Sequence, residues 1–497
     1  MTTFSHDTFV SPLTWRYGGA EMRQLWSEIH KRQLLRRVWF ALAKAQHEFG
    51  LVTTEQLNDL HKNIDRIDID RATEIEKNIK HDLMAELHTY AEQCEVGGAV
   101  LHLGATSMDV LDNADALRIK ESLELIRSKM NKLRDVLADL IEIWGATAAM
   151  GFTHLQPAEP TTIGYRLAQY GQDILIDYAE ILRVCESIRG KGFKGAVGSS
   201  ASYVELLDGN VLQAEDLERR AMQLLQIDCF SVSTQTYPRK QDWLVINSIA
   251  GLGGTLYRFA FDVRILQSPL IGEWSEDFGR DHVGSSAMPF KMNPINAEKI
   301  DSLARYLAGL PRVAWDNAAH SLLERTLDDS ANRRLLLPQA FLIADELLDT
   351  TIKLVAGLKI DKNATAHNLD AFKHLAAIEP LLMALCKAGA NRQDMHEIIR
   401  DHVLQFKSLG DTKETNKLIT IHKNHLDALI QLQNNDGTWS QVLDDKSSYH
   451  EFSVTCMIAY CISKGIRLGW LDSSYSSVLD IAFNGISSMI DLSLIHI

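Results

Sequence analysis

Residues 284–294 read Gly284-Ser285-Ser286-Ala287-Met288-Pro289-Phe290-Lys291-Met292-Asn293-Pro294. This glycine-led stretch brings two hydroxyls, a lysine and an asparagine to the start of a predicted helix, and Pro294 suits the first turn of that helix. Asn293 is predicted to cap the helix, whose free backbone N–H groups favour an anion. Most polar loops only connect secondary-structure elements. A loop with this many glycine, hydroxyl, lysine, asparagine and proline residues in eleven positions is not typical of a simple connection.

Long amphipathic helices are predicted on both sides of this loop. Apolar residues recur at spacings of three and four in 129–150, 163–185 and 241–267, which is the pattern of a helix with one buried face. Proline, which breaks helix interiors, is absent from all three stretches. Strand-like alternation is limited to short pieces such as Phe230–Tyr237. The predicted fold class is therefore all-α, a bundle of long helices joined by polar interruptions.

Length, charge and cysteine usage narrow the class of protein. A chain of 497 residues suggests two or three domains, and its net charge of −14 disfavours a nucleic-acid partner. No apolar run is long enough to cross a bilayer, and the first residues lack the pattern of a signal peptide. The scattered cysteines predict reduced thiols in a cytoplasmic protein instead of a disulfide frame or a zinc site. They are Cys94, Cys185, Cys229, Cys386, Cys456 and Cys461. No cluster with ligand spacing indicates another metal, and we expect no organic cofactor.

Three further polar interruptions are candidates for chemistry: Lys80–Leu87, Leu103–Ala116 and Gly151–Thr162. The last contains His154, followed by two prolines that restrict the loop. A lone histidine is more often structural than catalytic, but its pKa range suits general-acid work at neutral pH. In the second interruption, Thr106 or Ser107 is predicted to cap a helix.

Taken together and in order, these segments resemble the adenylosuccinate lyases of the fumarase/aspartase superfamily. Residues 284–294 (hereafter the signature loop) resemble the superfamily's signature, and residues 153–162 resemble the segment that provides the general acid. Residues 104–109 resemble the substrate-binding Thr-Ser turn. Residues 80–86 resemble the His-Asp segment that separates these lyases from fumarases and argininosuccinate lyases. Residues 324–334, which read ERTLDDSANRR, match the family's stretch almost residue for residue.

The resemblance implies a role for each matching residue. Ser285 fits the position of the general base, with Ser286 as the near alternative, and His154 fits the general acid. His81 is expected to assist at the phosphate or the leaving group. The expected substrate-binding residues are Arg16, Tyr17, Lys80, Asp82, Thr106, Ser107, Gln235, Lys291, Asn293, Lys299, Arg325, Ser330 and Arg334.

Elementary chemistry agrees with that assignment. Cleaving a succinyl C–N bond needs a base for the Cβ proton and an acid for the leaving nitrogen. An alcohol such as Ser285 is a weak base unless its alkoxide is stabilised. Backbone N–H groups of the 284–287 turn and the ammonium of Lys291 are suited to that task. Lys299 departs from the arginine of the family, and a lysine keeps the charge but loses the bidentate fork.

The resemblance also implies architecture and activity. We expect three helical domains, an N-terminal one at 1–105, a central bundle at 106–358 and a C-terminal one at 359–497. The family cleaves adenylosuccinate to AMP and fumarate, and releases fumarate from succinylaminoimidazole carboxamide ribotide to give AICAR. Its members are homotetramers whose active sites combine segments from three subunits. The stretch 472–497 matches nothing recognisable.

Two alternatives share parts of the pattern. A carboxymuconate cycloisomerase has the signature loop and a Thr-Ser turn, but needs no nucleotide-phosphate site, so the 80–86 and 324–334 segments count against it. A non-enzymatic structural member of the superfamily is a second alternative, against which Ser285, Lys291 and His154 argue.

Overall fold

The computed structural model describes residues 7–279, 284–408, 412–445 and 447–490, and only the backbone of 405–408 and 412–417. Residues 280–283 of the interruption around the signature loop, and 491–497 of the unmatched end, lie outside the described residues. About 68% of the chain is helical, which confirms the all-α class. The chain divides into two compact units, Met1–Ala376 and Ala377–Ile497.

The first unit holds fourteen of the described helices. They are α1 (Pro12–Trp15), α2 (Ala20–Leu25), α3 (Glu28–Glu48), α4 (Thr54–Asn63), α5 (Ile69–Ile79), α6 (Asp82–Glu92), α7 (Ser107–Ile143), α8 (Ile163–Ser187), α9 (Ala201–Leu206), α10 (Val211–Leu225), α11 (Lys240–Leu266), α12 (Ile295–Ala319), α13 (Asp328–Ala356) and α14 (Lys362–Ala376). Its strands form two antiparallel pairs, β1 (Ala148–Thr153) with β2 (Gln156–Thr162), and β3 (Trp274–Ser275) with β4 (Lys359–Ile360).

The long helices α7, α8, α11, α12 and α13 pack side by side into the predicted bundle. Polar contacts fix their antiparallel course. The hydroxyl of Tyr170 on α8 donates to Asp262 Oδ2 near the end of α11, at 2.6 Å. The amides of Asn317 and Asn332 bond each other at 2.7 and 2.9 Å, so the end of α12 meets the start of α13. Consecutive helices of the bundle therefore place their loops at alternate ends.

Two of the predicted helices are confirmed and two details are wrong. The apolar periodicity of 163–185 and 241–267 corresponds to α8 and α11. The helix predicted over 129–150 ends at Ile143, because the chain turns there and Met150 lies in β1 of a hairpin. Phe230–Tyr237 is not a strand; its backbone is held by individual contacts such as the bond from Tyr237 N to Asp112 Oδ2.

Helix α11 is, within the described residues, the one helix long and apolar enough to cross a membrane by length and composition. Half of its most apolar window is buried, and it packs against α8, α12 and α13. Its hydrophobicity is therefore that of a helix at the centre of a bundle.

The second unit has its own hydrophobic core. It contains α15 (Ile378–Lys387), α16 (Arg392–Ser408), α17 (Thr412–Gln431), α18 (Phe452–Arg467) and α19 (Ser476–Met489), with β5 (Trp439–Ser440) paired to β6 (His450–Glu451). Trp439 is fully buried, and its indole N–H donates to the carbonyl of Leu429 at 2.7 Å. Ile458, Ile462 and Leu471 belong to the same core.

The three predicted domains stay predictions. The boundary between the compact units falls after Ala376, beyond the one predicted at 358/359, because α14 packs against β1 and β2 of the first unit.

Helices α3 and α6 are joined by a buried carboxylate. Glu86 is fully buried and accepts from Arg32 Nη1 at 2.6 Å and from Arg36 Nε at 2.7 Å. Arg36 also donates to the carbonyls of Asn63 and Arg66, both at 2.9 Å, so its charge is fully enclosed. A charge buried in this way is stable only while its partner is present.

Glu86→Gln should therefore lower the free energy of unfolding by about 3 kcal/mol, since it leaves two guanidinium groups without their carboxylate. Urea denaturation followed by circular dichroism measures the loss. Glu92→Gln is the matched control on the same helix, because Glu92 pairs with Arg71 at the surface, where such pairs contribute little. Equal losses in the two variants would contradict the buried role of Glu86.

Candidate active site

A buried ion cluster ties three of the predicted substrate segments together. Arg239 immediately precedes α11 and is 4% exposed. Its Nε donates to Asp329 Oδ2 at 2.6 Å, and its Nη1 donates to both carboxylate oxygens of Asp112 at 3.0 and 3.1 Å. Since Asp112 lies on α7 and Asp329 on α13, one guanidinium fixes the start of both helices against the start of α11.

A second buried arginine extends this cluster. Arg333 Nε donates to Asp242 Oδ2 at 2.7 Å, and its Nη1 lies 3.2 Å from Asp115 Oδ2. The hydroxyl of Tyr237 donates to Asp242 Oδ1 at 2.6 Å. Burial raises the pKa of Tyr237 well above its ordinary value, so this hydroxyl remains a donor.

Arg325, Ser330 and Arg334 come together at the rim of this cluster, around a cleft of about 170 Å³. Arg325 Nη1 donates to Asp329 Oδ1 at 2.9 Å, so the buried cluster orients it. Arg334 Nη2 donates to Asp82 Oδ2 at 2.8 Å on the opposite wall. A cleft with several arginines suits an anion.

The His-Asp segment lies at the start of α6. Lys80 is the left-handed C-cap of α5, and His81 is the N-cap of α6, where its Nδ1 accepts from Met84 N at 3.3 Å. Burial alone would raise the pKa of Asp82, but the charges of Arg334 and Lys31 bring it below its ordinary value. Asp82 is therefore an anion that holds Arg334 in place across the cleft.

The Thr-Ser turn begins α7, with Thr106 as the N-cap, as one of the two alternatives predicted. Thr106 N donates to Asp109 Oδ2 at 3.0 Å. Asp109 is fully buried, accepts from the hydroxyl of Tyr203 at 3.1 Å and is paired with the ammonium of Lys191. The turn that ends in Ser107 is thus held by the carboxylate of Asp109, whose charge is balanced by Lys191.

Gln235 is half-buried, and its backbone N–H donates to the carbonyl of Glu324 at 3.2 Å. This bond brings the segment of Gln235 to the start of the 324–334 stretch.

The signature loop lies at the other end of the bundle. Gln267, which follows α11, donates from Nε2 to the carbonyl of Met292 at 2.9 Å. Ser285 is partly exposed, and its Oγ accepts from Ala287 N at 3.3 Å and from Met288 N at 3.1 Å. Lys291 is exposed.

The prediction that Asn293 caps α12 is wrong. Pro294 is the N-cap, and Asn293 Nδ2 donates instead to the carbonyl of Gly284 at 2.8 Å, which closes the loop. The first free N–H groups of α12 are taken by Glu276, whose carboxylate accepts from Asn296 N at 3.2 Å and Ala297 N at 2.7 Å. A buried carboxylate of the chain therefore occupies the position expected for a ligand anion.

His154 lies at the tip of the β1–β2 hairpin. It and Leu155 form the two-residue turn with φ of +53° and +58°, and both are exposed. The base of the hairpin adjoins the end of α7, because Ile163 N donates to the carbonyl of Thr147 at 2.9 Å. His154 thus belongs to the end of the bundle opposite to Thr106.

The length of the helices separates the two groups of residues. Helix α11 has 27 residues, so about 40 Å lies between the Arg239 cluster and Gln267. Helix α7 has 37 residues and spans about 55 Å. The six residues of β1 span only about 20 Å. The hairpin therefore cannot return His154 to Thr106 within one chain.

Arg16, Tyr17 and Lys299 form a third group along α13. Lys299 Nζ donates to Glu346 Oε1 at 2.8 Å, and the N–H of Gly18 donates to Glu346 Oε2 at 2.9 Å. The guanidinium of Arg16 lies 5.8 Å from the ring centre of Tyr17.

Comparison with known proteins identifies the family. A family model described as "Lyase" matches residues 25–309. An adenylosuccinate lyase of Schistosoma mansoni is 37% identical, over 80% of this chain and 83% of that protein. An adenylosuccinate lyase of Saccharomyces cerevisiae is 36% identical, over 82% of this chain and 85% of that protein. The chain belongs to the adenylosuccinate lyase family.

Solved structures show the same fold. A fumarate lyase of Mesorhizobium superimposes with a TM-score of 0.69 at 23% identity, over 77% of this chain and 85% of that one. A 3-carboxy-cis,cis-muconate lactonizing enzyme of Pseudomonas putida superimposes with a TM-score of 0.69 at 22% identity, over 78% of this chain and 85% of that one. A second family model, described as "Glycosyl Hydrolase Family 88", matches residues 387–493, nearly all of the second unit.

The structure adds two cleft residues and one buried histidine that were not predicted from the sequence. Lys31 of α3 and Asp115 of α7 line the cleft with Arg334. His102, just before the Thr-Ser turn, accepts at Nδ1 from the indole N–H of Trp39 at 3.0 Å, and burial lowers its pKa. The position of His102 two residues before the 104–109 segment is a sequence signal for a functional residue. Lys31 lies in an ordinary amphipathic helix, where a surface lysine gives no such signal.

Replacing Arg239 by methionine should lower the free energy of unfolding by about 3 kcal/mol, because it removes the guanidinium paired with the buried Asp112 and leaves Asp329 with Arg325 alone. Thermal unfolding followed by circular dichroism checks this. The neighbouring Lys240→Met is the control: Lys240 is exposed beside Trp243, so the same loss of charge should have little effect. Similar melting temperatures for both variants would argue against the central role of Arg239.

Proposed function

We propose that this chain cleaves adenylosuccinate to AMP and fumarate, and releases fumarate from succinylaminoimidazole carboxamide ribotide to give AICAR. The observation that carries the proposal is the cleft in which Arg325, Ser330 and Arg334 face Asp82, in a chain of the adenylosuccinate lyase family. Such a reaction belongs to purine nucleotide synthesis in the cytoplasm. The substrate is a small nucleotide, and neither nucleic acid nor a membrane is a partner.

Ser285 acts as the general base. The two backbone N–H groups that bond its Oγ, those of Ala287 and Met288, favour an alkoxide over a neutral hydroxyl. Lys291 and Asn293 bind the carboxylates of the departing fumarate, and Lys291 adds positive charge beside the base. The proton leaves Cβ of the succinyl group, and the carbanion that forms is held by the adjacent carboxylate.

His154 then donates a proton to the leaving nitrogen as its bond to carbon breaks. The exposed turn that holds His154 leaves the imidazole open to a substrate. His81 assists at the phosphate or the leaving group. Arg16, Tyr17, Lys80, Thr106, Ser107, Gln235 and Lys299 complete the contacts with the nucleotide and the succinyl group.

The separation along the bundle supports active sites shared between subunits. A cleft at the Arg239 end and a base at the Gln267 end cannot serve one substrate at about 40 Å. A closed symmetric homotetramer brings opposite ends of neighbouring bundles together. We propose that each site takes the cleft from one subunit, and His154 and Ser285 from others.

A cycloisomerase function is not favoured. The muconate lactonizing enzyme shares the fold at 22% identity, whereas the two relatives at 36 and 37% identity are adenylosuccinate lyases. A purely structural role is not favoured either, since Ser285, Lys291 and His154 are all present.

Purified protein should convert adenylosuccinate to AMP and fumarate, which is followed by the change in ultraviolet absorbance. Ser285→Ala should lower kcat by several orders of magnitude and leave substrate binding nearly unchanged, because only proton transfer is lost. Ser286→Ala is the matched control and should keep most of the activity. If Ser286→Ala abolished turnover and Ser285→Ala did not, the base would be Ser286. A wild-type chain without activity would refute the proposed reaction.

Shared sites predict complementation between inactive variants. Ser285→Ala and His154→Ala should each be inactive, but subunits mixed in equal amounts, dissociated and reassembled should regain activity. Random assortment gives both intact residues to about a quarter of the sites, if the two come from different chains. Recovery near that fraction is the expected result. No recovery, with hybrids shown by native mass spectrometry, would place both residues on one chain.

A further inference from the structure

A single carboxylate on α13 joins two of the substrate-binding segments. Glu346 accepts from the ammonium of Lys299 through Oε1 and from the backbone N–H of Gly18 through Oε2, at 2.8 and 2.9 Å. Gly18 directly follows Arg16 and Tyr17. Lys299 lies on α12, eight residues after Lys291 of the signature loop. The two segments are far apart in sequence but share one acceptor.

The loop of Arg16 and Tyr17 is pressed closely against α13. Gly18 has a φ of +83°, and a Cβ on it would come within 2.9 Å of Leu342 Cδ2 and 3.3 Å of the Leu342 carbonyl. The next residue, Gly19, donates to Asp345 Oδ2 at 2.6 Å. Consecutive carboxylates of α13 thus hold consecutive backbone N–H groups of the loop.

The surroundings keep Glu346 charged. Burial alone would raise its pKa, but the ammonium of Lys299 and the N–H of Gly18 bring the pKa below its ordinary value. The hydroxyl of Thr350 donates to Oε1 as well, at 3.2 Å. The side chain of Glu346 is 14% exposed and that of Lys299 is 31% exposed, so the pair is only partly screened by solvent.

We infer that Glu346 is a positioning residue that sets Lys299 and the Arg16–Tyr17 loop at a fixed distance from each other. This inference rests on the proposed function, which makes both segments binders of one nucleotide substrate. Lys299 has a single ammonium where an arginine has a fork, so its direction depends on the acceptor that holds it. Glu346 acts through Lys299 and Gly18 and does not itself contact the substrate.

Glu346→Gln tests the inference, because glutamine keeps the shape and one acceptor but removes the charge. We expect the KM for adenylosuccinate to rise about tenfold, the loss typical of one charge-assisted hydrogen bond, with kcat within about threefold of wild type. Glu346→Asp keeps the charge and should recover part of the loss. Asp349→Asn is the matched control on the same helix, since Asp349 pairs with Lys129 and not with either segment.

Three results would overturn the inference. The first is an unchanged KM for Glu346→Gln in a protein with the wild-type melting temperature. The second is an equal rise in KM for Asp349→Asn. The third is full additivity of Glu346→Gln with Lys299→Met, because a residue that acts partly through Lys299 loses that part of its effect once Lys299 is replaced.

Hydrogen exchange separates this inference from the proposed function. Glu346→Gln should speed exchange of the Gly18 amide about tenfold, because the acceptor of that amide is weakened. A wild-type chain with no lyase activity would refute the proposed function, whereas unchanged exchange at Gly18 would refute the tie through Glu346, whatever the activity.

Discussion

The guanidinium of Arg239 between the carboxylates of Asp112 and Asp329 is the interaction on which the candidate site depends. It lies where α7, α11 and α13 begin, and the nearby Arg333 continues the network to Asp242 and Tyr237. Buried ion pairs are costly to form because both charges lose water. Here they fix the direction of Arg325 at the surface of the cleft, so the site is made rigid by a buried arginine and its carboxylates.

The length of the bundle is the second constraint. Helices of 27 and 37 residues give a long, straight core, but they also carry the cleft and the signature loop to opposite ends. Rigid helices of this length keep the cleft and the signature loop of one chain apart, so the two cannot meet within that chain. Assembly of several bundles removes that limit, since the rigid end of one subunit can meet the opposite end of another.

Much of the fold could be predicted from the sequence, because helical periodicity is a local signal. The pattern in 163–185 and 241–267 was sufficient to place α8 and α11. The site was predicted less fully. Motif residues such as Arg325 and Arg334 meet in the cleft, but the cap expected from Asn293 was wrong, since Glu276 reaches α12 from a separate segment. Contacts of this kind, and the pairing of Lys299 with Glu346, depend on tertiary packing that no local pattern contains.

The second unit shows that helical periodicity does not mark the boundary between two hydrophobic cores. Its helices have the same amphipathic character as those of the bundle, so periodicity alone does not separate residues 359–376, which belong to the first unit, from the helices after Ala377. The unit from Ala377 has a core of its own around Trp439 and Ile462, and a glycosyl hydrolase model matches it over 387–493. Each residue assigned here to lyase chemistry lies before that boundary, in the unit that ends at Ala376.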